Sequence, residues 1–97
     1  MHSVQFHASA RAELMEAQDW YEGELAGLGR RFLLAVDTTV QRVSENPQQF
    51  PVVHRKVRRA LLKGFPYALM FVLGRDKSVF VLACFHASRD PKVWLDR

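Results

Sequence analysis

Apolar positions along the chain change period once, near residue 50, and the change separates two kinds of structure. Residues 4–7 alternate weakly and read as a short strand. Ser9 follows, a residue type whose hydroxyl can hold an orphan amide at a helix start. From Ala10 onward, Leu14, Ala17, Tyr21 and Leu25 recur at three- and four-residue spacing, the stripe of an amphipathic helix, with the acids mainly elsewhere. Gly27 and Gly29 in "LAGLGRR" break this helix and permit a tight reversal. Phe32, Leu33, Val36, Val40 and Val43 then trace a second helix. It stops at Asn46-Pro47, because proline disfavours helical backbone at the residue before it. The first two-fifths of the chain is expected to be an antiparallel helical hairpin.

A connector punctuated by proline, "PQQFPVVHRK", leads into strand-like sequence. "KVRRALL", "YALMFVL" and "SVFVLACF" are separated by "KGFP" and "GRDK", both of which are turn chemistry. Three strands with short turns imply an antiparallel meander. The last two are apolar on both faces and should be central. The first is basic and is expected at the edge, where charge discourages pairing with another sheet. The fold class is therefore α+β, with a short N-terminal strand and a helical hairpin packed on a small antiparallel β-sheet. The element order is β-α-α-β-β-β, and residues 1–97 are expected to form a single domain.

Composition narrows the function. The longest apolar runs, 67–73 and 79–85, are far short of the roughly 18 residues that span a bilayer, so no membrane role is expected. "MHSVQFHASARAEL" has neither the basic nor the apolar region of a secretory leader, which favours a cytoplasmic protein. The single cysteine, Cys84, lies in an apolar run and reads as a reduced core thiol. Net charge is +4, but unevenly placed: residues 1–28 sum to −4 and residues 29–97 to +8. A basic body of this kind suits nucleic acid or an acidic protein partner.

The densest chemistry is "HRKVRRALLK", which holds His54, Arg55, Lys56, Arg58, Arg59 and Lys63. On a regular strand Arg55, Arg59 and Lys63 share one face and Lys56 and Arg58 the other. Arginine forks pair with phosphate or carboxylate oxygens, so Arg55, Lys56, Arg58, Arg59, Lys63 and Arg89 are the candidate contacts to a partner or to nucleic acid. The plain alternative is edge protection. His86 and Arg89, at the end of the last strand, form a second constellation. An imidazole that moves protons beside an arginine that steadies a phosphate is the minimum for metal-free RNA cleavage. A structural histidine at a strand end is the competing reading. Ser88, His86 and Asp90 are too close in sequence to converge as a hydrolase triad. Four scattered histidines and one cysteine show no metal-ligand spacing, and no cofactor fingerprint is present. Trp20, Tyr21, Phe65 and Tyr67 read as packing residues.

In this order, the chain resembles the RelE/ParE superfamily of bacterial type II toxin–antitoxin toxins. The resemblance rests on "ARAELMEAQDWYE", "LGRRFLLAVDTTVQRVSENPQQFP", "RRALLKGFPYALMFVL" and "VLACFHASRDPKVWLDR". It also covers the closing His86, Arg89, Pro91, Trp94 and Arg97. It implies a sheet packed on a helical hairpin, and a cognate antitoxin that wraps the toxin in a hetero-oligomer. RelE-like members cleave mRNA on the ribosome, whereas ParE-like members poison DNA gyrase. His86, Arg89 and Arg58 would be the catalytic candidates of a ribonuclease. However, Ala87 stands where an aromatic often accompanies the histidine, and "HRKVRRALLK" offers no carboxylate base. The ParE-like branch, with gyrase as partner, is therefore favoured. The alternatives are a ribosome-dependent mRNA endoribonuclease and a non-toxic basic binding module. Trp94 is expected to anchor the tail after a turn at Asp90-Pro91.

Overall fold

The structure, a computed structural model, describes residues 1–89 and Leu95. A five-stranded sheet carries two helices on one face. β1 (Ser3–Phe6) leads into α1 (Ala8–Glu24) and α2 (Leu28–Glu45). A single 3-10 turn (Pro47–Gln49) then precedes β2 (Val52–His54), β3 (Val57–Leu61), β4 (Tyr67–Leu73) and β5 (Ser78–His86). The spatial order is β1-β5-β4-β3-β2. The expected α+β class and helical hairpin are present, and β4 and β5 are central as expected. The sheet is mixed: β1 lies parallel to β5, and its other neighbours are antiparallel.

The basic strand β3 is not the edge. Val52 and His54, from the connector, pair back onto Arg58 and Val57 and place β2 outside it. Arg55 and Lys56 consequently form the tip of a two-residue hairpin turn, with Arg55 at a φ of 52°. They do not share the alternating faces of a strand with Arg58 and Arg59, and Lys63 lies beyond β3 in the following bend.

Helix boundaries follow local chemistry. The N-cap of α1 is His7 rather than Ser9, because the His7 ring nitrogen accepts from the Ser9 amide at 3.3 Å. Gly27 turns the chain at a φ of 88°, a left-handed conformation that glycine adopts without a Cβ penalty. Gly29 lies inside α2, where a Cβ would come within 2.9 Å of the Gln18 carbonyl oxygen on α1. The two helices meet at that point because no side chain intervenes.

The main core lies between helices and sheet. Phe32, Val36 and Val43 of α2 and Ala10, Ala17 and Tyr21 of α1 cover Leu69, Phe71, Val79 and Val81. Tyr21 stacks on Phe32, and both rings meet Phe65 and Tyr67 edge-on. The packing reading holds for these rings. Trp20 departs from it, as it is 59% exposed and, among the described residues, its ring meets only Tyr21, at 80°. A smaller cluster, Ala68, Met70, Ala83 and Phe85, occupies the opposite sheet face with Leu95 against it. The expected turn at Asp90-Pro91 and the expected packing of Trp94 lie outside the described residues.

One irregularity in β5 decides what each face carries. Met70 pairs with Ala83 while Phe71 pairs with Val81, so Leu82 is an extra residue in β5. A bulge of this kind inverts the alternation beyond it. Val79 and Val81 face the helices, and so does Cys84, whereas Ala83 and Phe85 face the other way.

Candidate functional site

The open sheet face carries the basic candidates. Arg59 pairs across the ladder with Met70 and so projects from the same face as the smaller cluster. A cavity of about 390 Å³ lies there. Met70, Phe85 and Leu95 give it an apolar floor, while Arg59, Arg89 and His54 bring polar and positive groups to its rim. No carboxylate lines it among the described residues. The arrangement suits a partner segment that combines apolar side chains with negative charge.

Arg58 behaves differently. Its guanidinium donates to the carbonyl oxygens of Phe50 at 2.7 Å and Gln48 at 3.3 Å. Those bonds tie the 3-10 turn to the sheet and engage the arginine in structure. Arg55 and Lys56 stand exposed at the hairpin tip. Lys63 joins Arg42, Leu34 and Thr38 around a shallow groove on α2 of about 560 Å³.

His86 sits on the helix side of β5. It pairs with Tyr67 across the ladder, and the two rings meet edge-on at 5.0 Å. Its Nδ1 accepts from the Ser88 amide at 3.0 Å and lies 2.7 Å from the Ser88 hydroxyl. An amide can only donate, so the neutral ring carries its proton on Nε2. Cys84, beside it, is a free, buried cysteine. Its thiol is pushed up to about 12, by burial first and then by the nearby Glu13 carboxylate. Glu13 also accepts from the Cys84 amide at 3.2 Å. The carboxylate covers this edge of β5 past Phe6, where β1 ends.

The structure thus separates the ribonuclease candidates. His86 and Arg89 line one cavity, of about 240 Å³ between α1 and the end of β5. Arg58 lines neither that cavity nor the one on the open face. The residue that joins Arg59 and Arg89 is His54, which the sequence showed only as part of a dense basic stretch. Sequence reasoning also missed Glu13, Glu16 and Trp20, which line the smaller cavity. Their helical spacing of three and four residues was a usable signal. Among the described residues, no three His, Cys, Asp or Glu side chains gather as a metal site requires. No helix among the described residues is long and apolar enough to cross a membrane.

The site thus sits on a two-helix hairpin over a small mixed sheet, with cations on the open face. The profile of the ParE toxin of the type II toxin–antitoxin system, parDE, matches residues 4–91, and the chain belongs to that family. Membership implies an antitoxin partner. A solved structure, the chromosomal ParDE TA system from P. aeruginosa, is similar with a TM-score of 0.68. The match covers 91% of this chain and 98% of that one at 22% identity, so it supports the fold. A comparison with curated proteins finds no match.

Proposed function

We propose that this toxin acts on DNA gyrase and is neutralised by a cognate antitoxin, both in the cytoplasm. The observation that carries the reading is the separation of Arg58 from the His86–Arg89 cavity, and of His86 from Arg59 on the open face, beside family membership. A face with arginines over an apolar floor suits protein contact. The antitoxin is expected to lay apolar residues along the α2 groove at Leu34 and Thr38 and carboxylates near Arg42 and Lys63. It then continues towards the exposed β2 edge at Val52 and Val53 and the basic hairpin tip at Arg55 and Lys56, and reaches Arg59 on the open face. No cofactor or metal enters this reading.

A second reading has one observation in its favour. His54, Arg59 and Arg89 share a cavity, which would serve metal-free cleavage of ribosome-bound mRNA. Purified protein tested in a gyrase supercoiling assay, and in a translation reaction with mapping of message ends, separates the two. Trapped, cleaved DNA with intact message is the expected result. Codon-positioned cuts that disappear in His54→Ala would install the ribonuclease. Neither effect, together with normal growth on induction, would leave a non-toxic binding module.

A further inference from the structure

α1 holds all five acids of the first 28 residues, on a protein that is otherwise basic. Two of them, Glu13 and Glu16, face the cavity between α1 and the end of β5, with Trp20 one turn beyond. Ala17 is buried in the same stretch, and its small side chain leaves the space open. Tyr67 and, beyond the end of β5, Arg89 also line it.

We propose that this cavity receives an arginine side chain of a partner protein, together with a neighbouring carboxylate of the same segment. Glu16 and the Trp20 ring hold the guanidinium, and Arg89 meets the carboxylate.

Four observations support the assignment. The volume of about 240 Å³ is smaller than a drug-sized site and suits one long side chain. Trp20 is 59% exposed and lines the cavity, with its ring at 80° to Tyr21, so the indole presents surface there. A ring face within about 6 Å of a guanidinium attracts it, and desolvation strengthens the effect. Glu16 is exposed and offers a planar carboxylate for bidentate pairing. Opposite signs stand across one small space: Glu16 and Arg89 both act on the Tyr67 hydroxyl, though burial is the larger influence there. A pocket with an acidic wall and a basic end discriminates against a lone cation and a lone anion alike.

His86 completes the wall. Its Nδ1 is engaged by Ser88 and its ring packs on Tyr67. Glu13 accepts from the Cys84 amide at 3.2 Å, which fixes its carboxylate on this wall. The site therefore differs from the cationic open face in sign and in the chemistry it selects, and Arg89 borders both.

The test titrates full-length protein with small probes while the Trp20 indole resonance is followed by NMR, assigned by its loss in Trp20→Phe. N-acetyl-arginine carries guanidinium and carboxylate, N-acetyl-arginine methylamide only the cation, and N-acetyl-norleucine only the carboxylate. The expected result is a saturable shift with N-acetyl-arginine at millimolar concentration, at least about fivefold weaker with the methylamide and absent with norleucine. Glu16→Gln should weaken N-acetyl-arginine by about tenfold. Arg89→Gln should reduce it to the level of the methylamide. Circular dichroism should show that these surface variants remain folded. Equal shifts with norleucine and arginine, no effect of Glu16→Gln, or tighter binding of adenosine monophosphate than of N-acetyl-arginine would each overturn the proposal.

Discussion

Cys84 illustrates how a single residue reports on its surroundings. Its side chain is 3% exposed, and its thiol is raised from an ordinary 9.0 to about 12 by burial and by Glu13. The folded protein holds the proton where the unfolded chain has already lost it. Stability is therefore intact below about pH 9 and falls as pH rises towards 12, by up to roughly 1.4 kcal/mol per unit. Denaturant midpoints measured from pH 7 to 10.5 should decline in the parent and flatten in Cys84→Ala. The same variant is less stable overall at neutral pH, because it leaves a small void. A thiol reagent at pH 8 should modify Cys84 only as fast as the protein opens, since the thiolate is the reactive form. Sequence alone predicted a core thiol from its apolar neighbours, and the structure agrees. It could not show that Glu13, distant in sequence, holds the Cys84 amide.

At the scale of elements, the hairpin was legible because apolar residues at helical spacing survive any choice of partner. Gly27 and Asn46-Pro47 marked real boundaries for the same local reasons. The joint between the helices was less legible. Glu22 near the end of α1 accepts from the Gly27 amide at 2.9 Å and the Gly29 amide at 3.0 Å, which satisfies orphan donors at the start of α2. Sequence reading placed Glu22 only among the acids. The two glycine amides accordingly have a carboxylate partner supplied from the preceding helix. Glu22→Gln should cost about 1 kcal/mol in urea unfolding, since a neutral acceptor remains. Gly29→Ala should cost more, because the new methyl meets the Gln18 carbonyl and Glu22 Cβ at 2.9 and 3.0 Å. If Gly29→Ala is as stable as the parent, the helices are free to separate and the close approach is not needed. The β5 bulge was hidden for another reason. "VFVLACF" is apolar throughout, so an inserted residue leaves no break in its pattern.

That hidden residue governs the whole molecule. Strict alternation from Val79 would have sent His86 to the open face with Arg59, whereas the bulge at Leu82 returns it to the helix side. Adjacency in sequence did not show how the cations divide between the faces of the sheet. Arg58 and Arg59 are neighbours in the chain and leave β3 on opposite faces, one tied to carbonyls and the other exposed. Their substitution should therefore separate folding from function. Arg58→Ala frees the Phe50 and Gln48 carbonyls and should lose about 1–3 kcal/mol of stability. Arg59→Glu breaks no recorded bond and should stay within about 0.5 kcal/mol of the parent. It should nevertheless weaken antitoxin binding by about tenfold at low salt, with a smaller effect at high salt as screening increases. Growth inhibition by induced Arg59→Glu should also fall, since the reversed charge sits at the centre of the proposed target face. A variant that unfolds with the parent, binds antitoxin with parental affinity at every salt concentration and remains fully toxic would remove the open face from both roles.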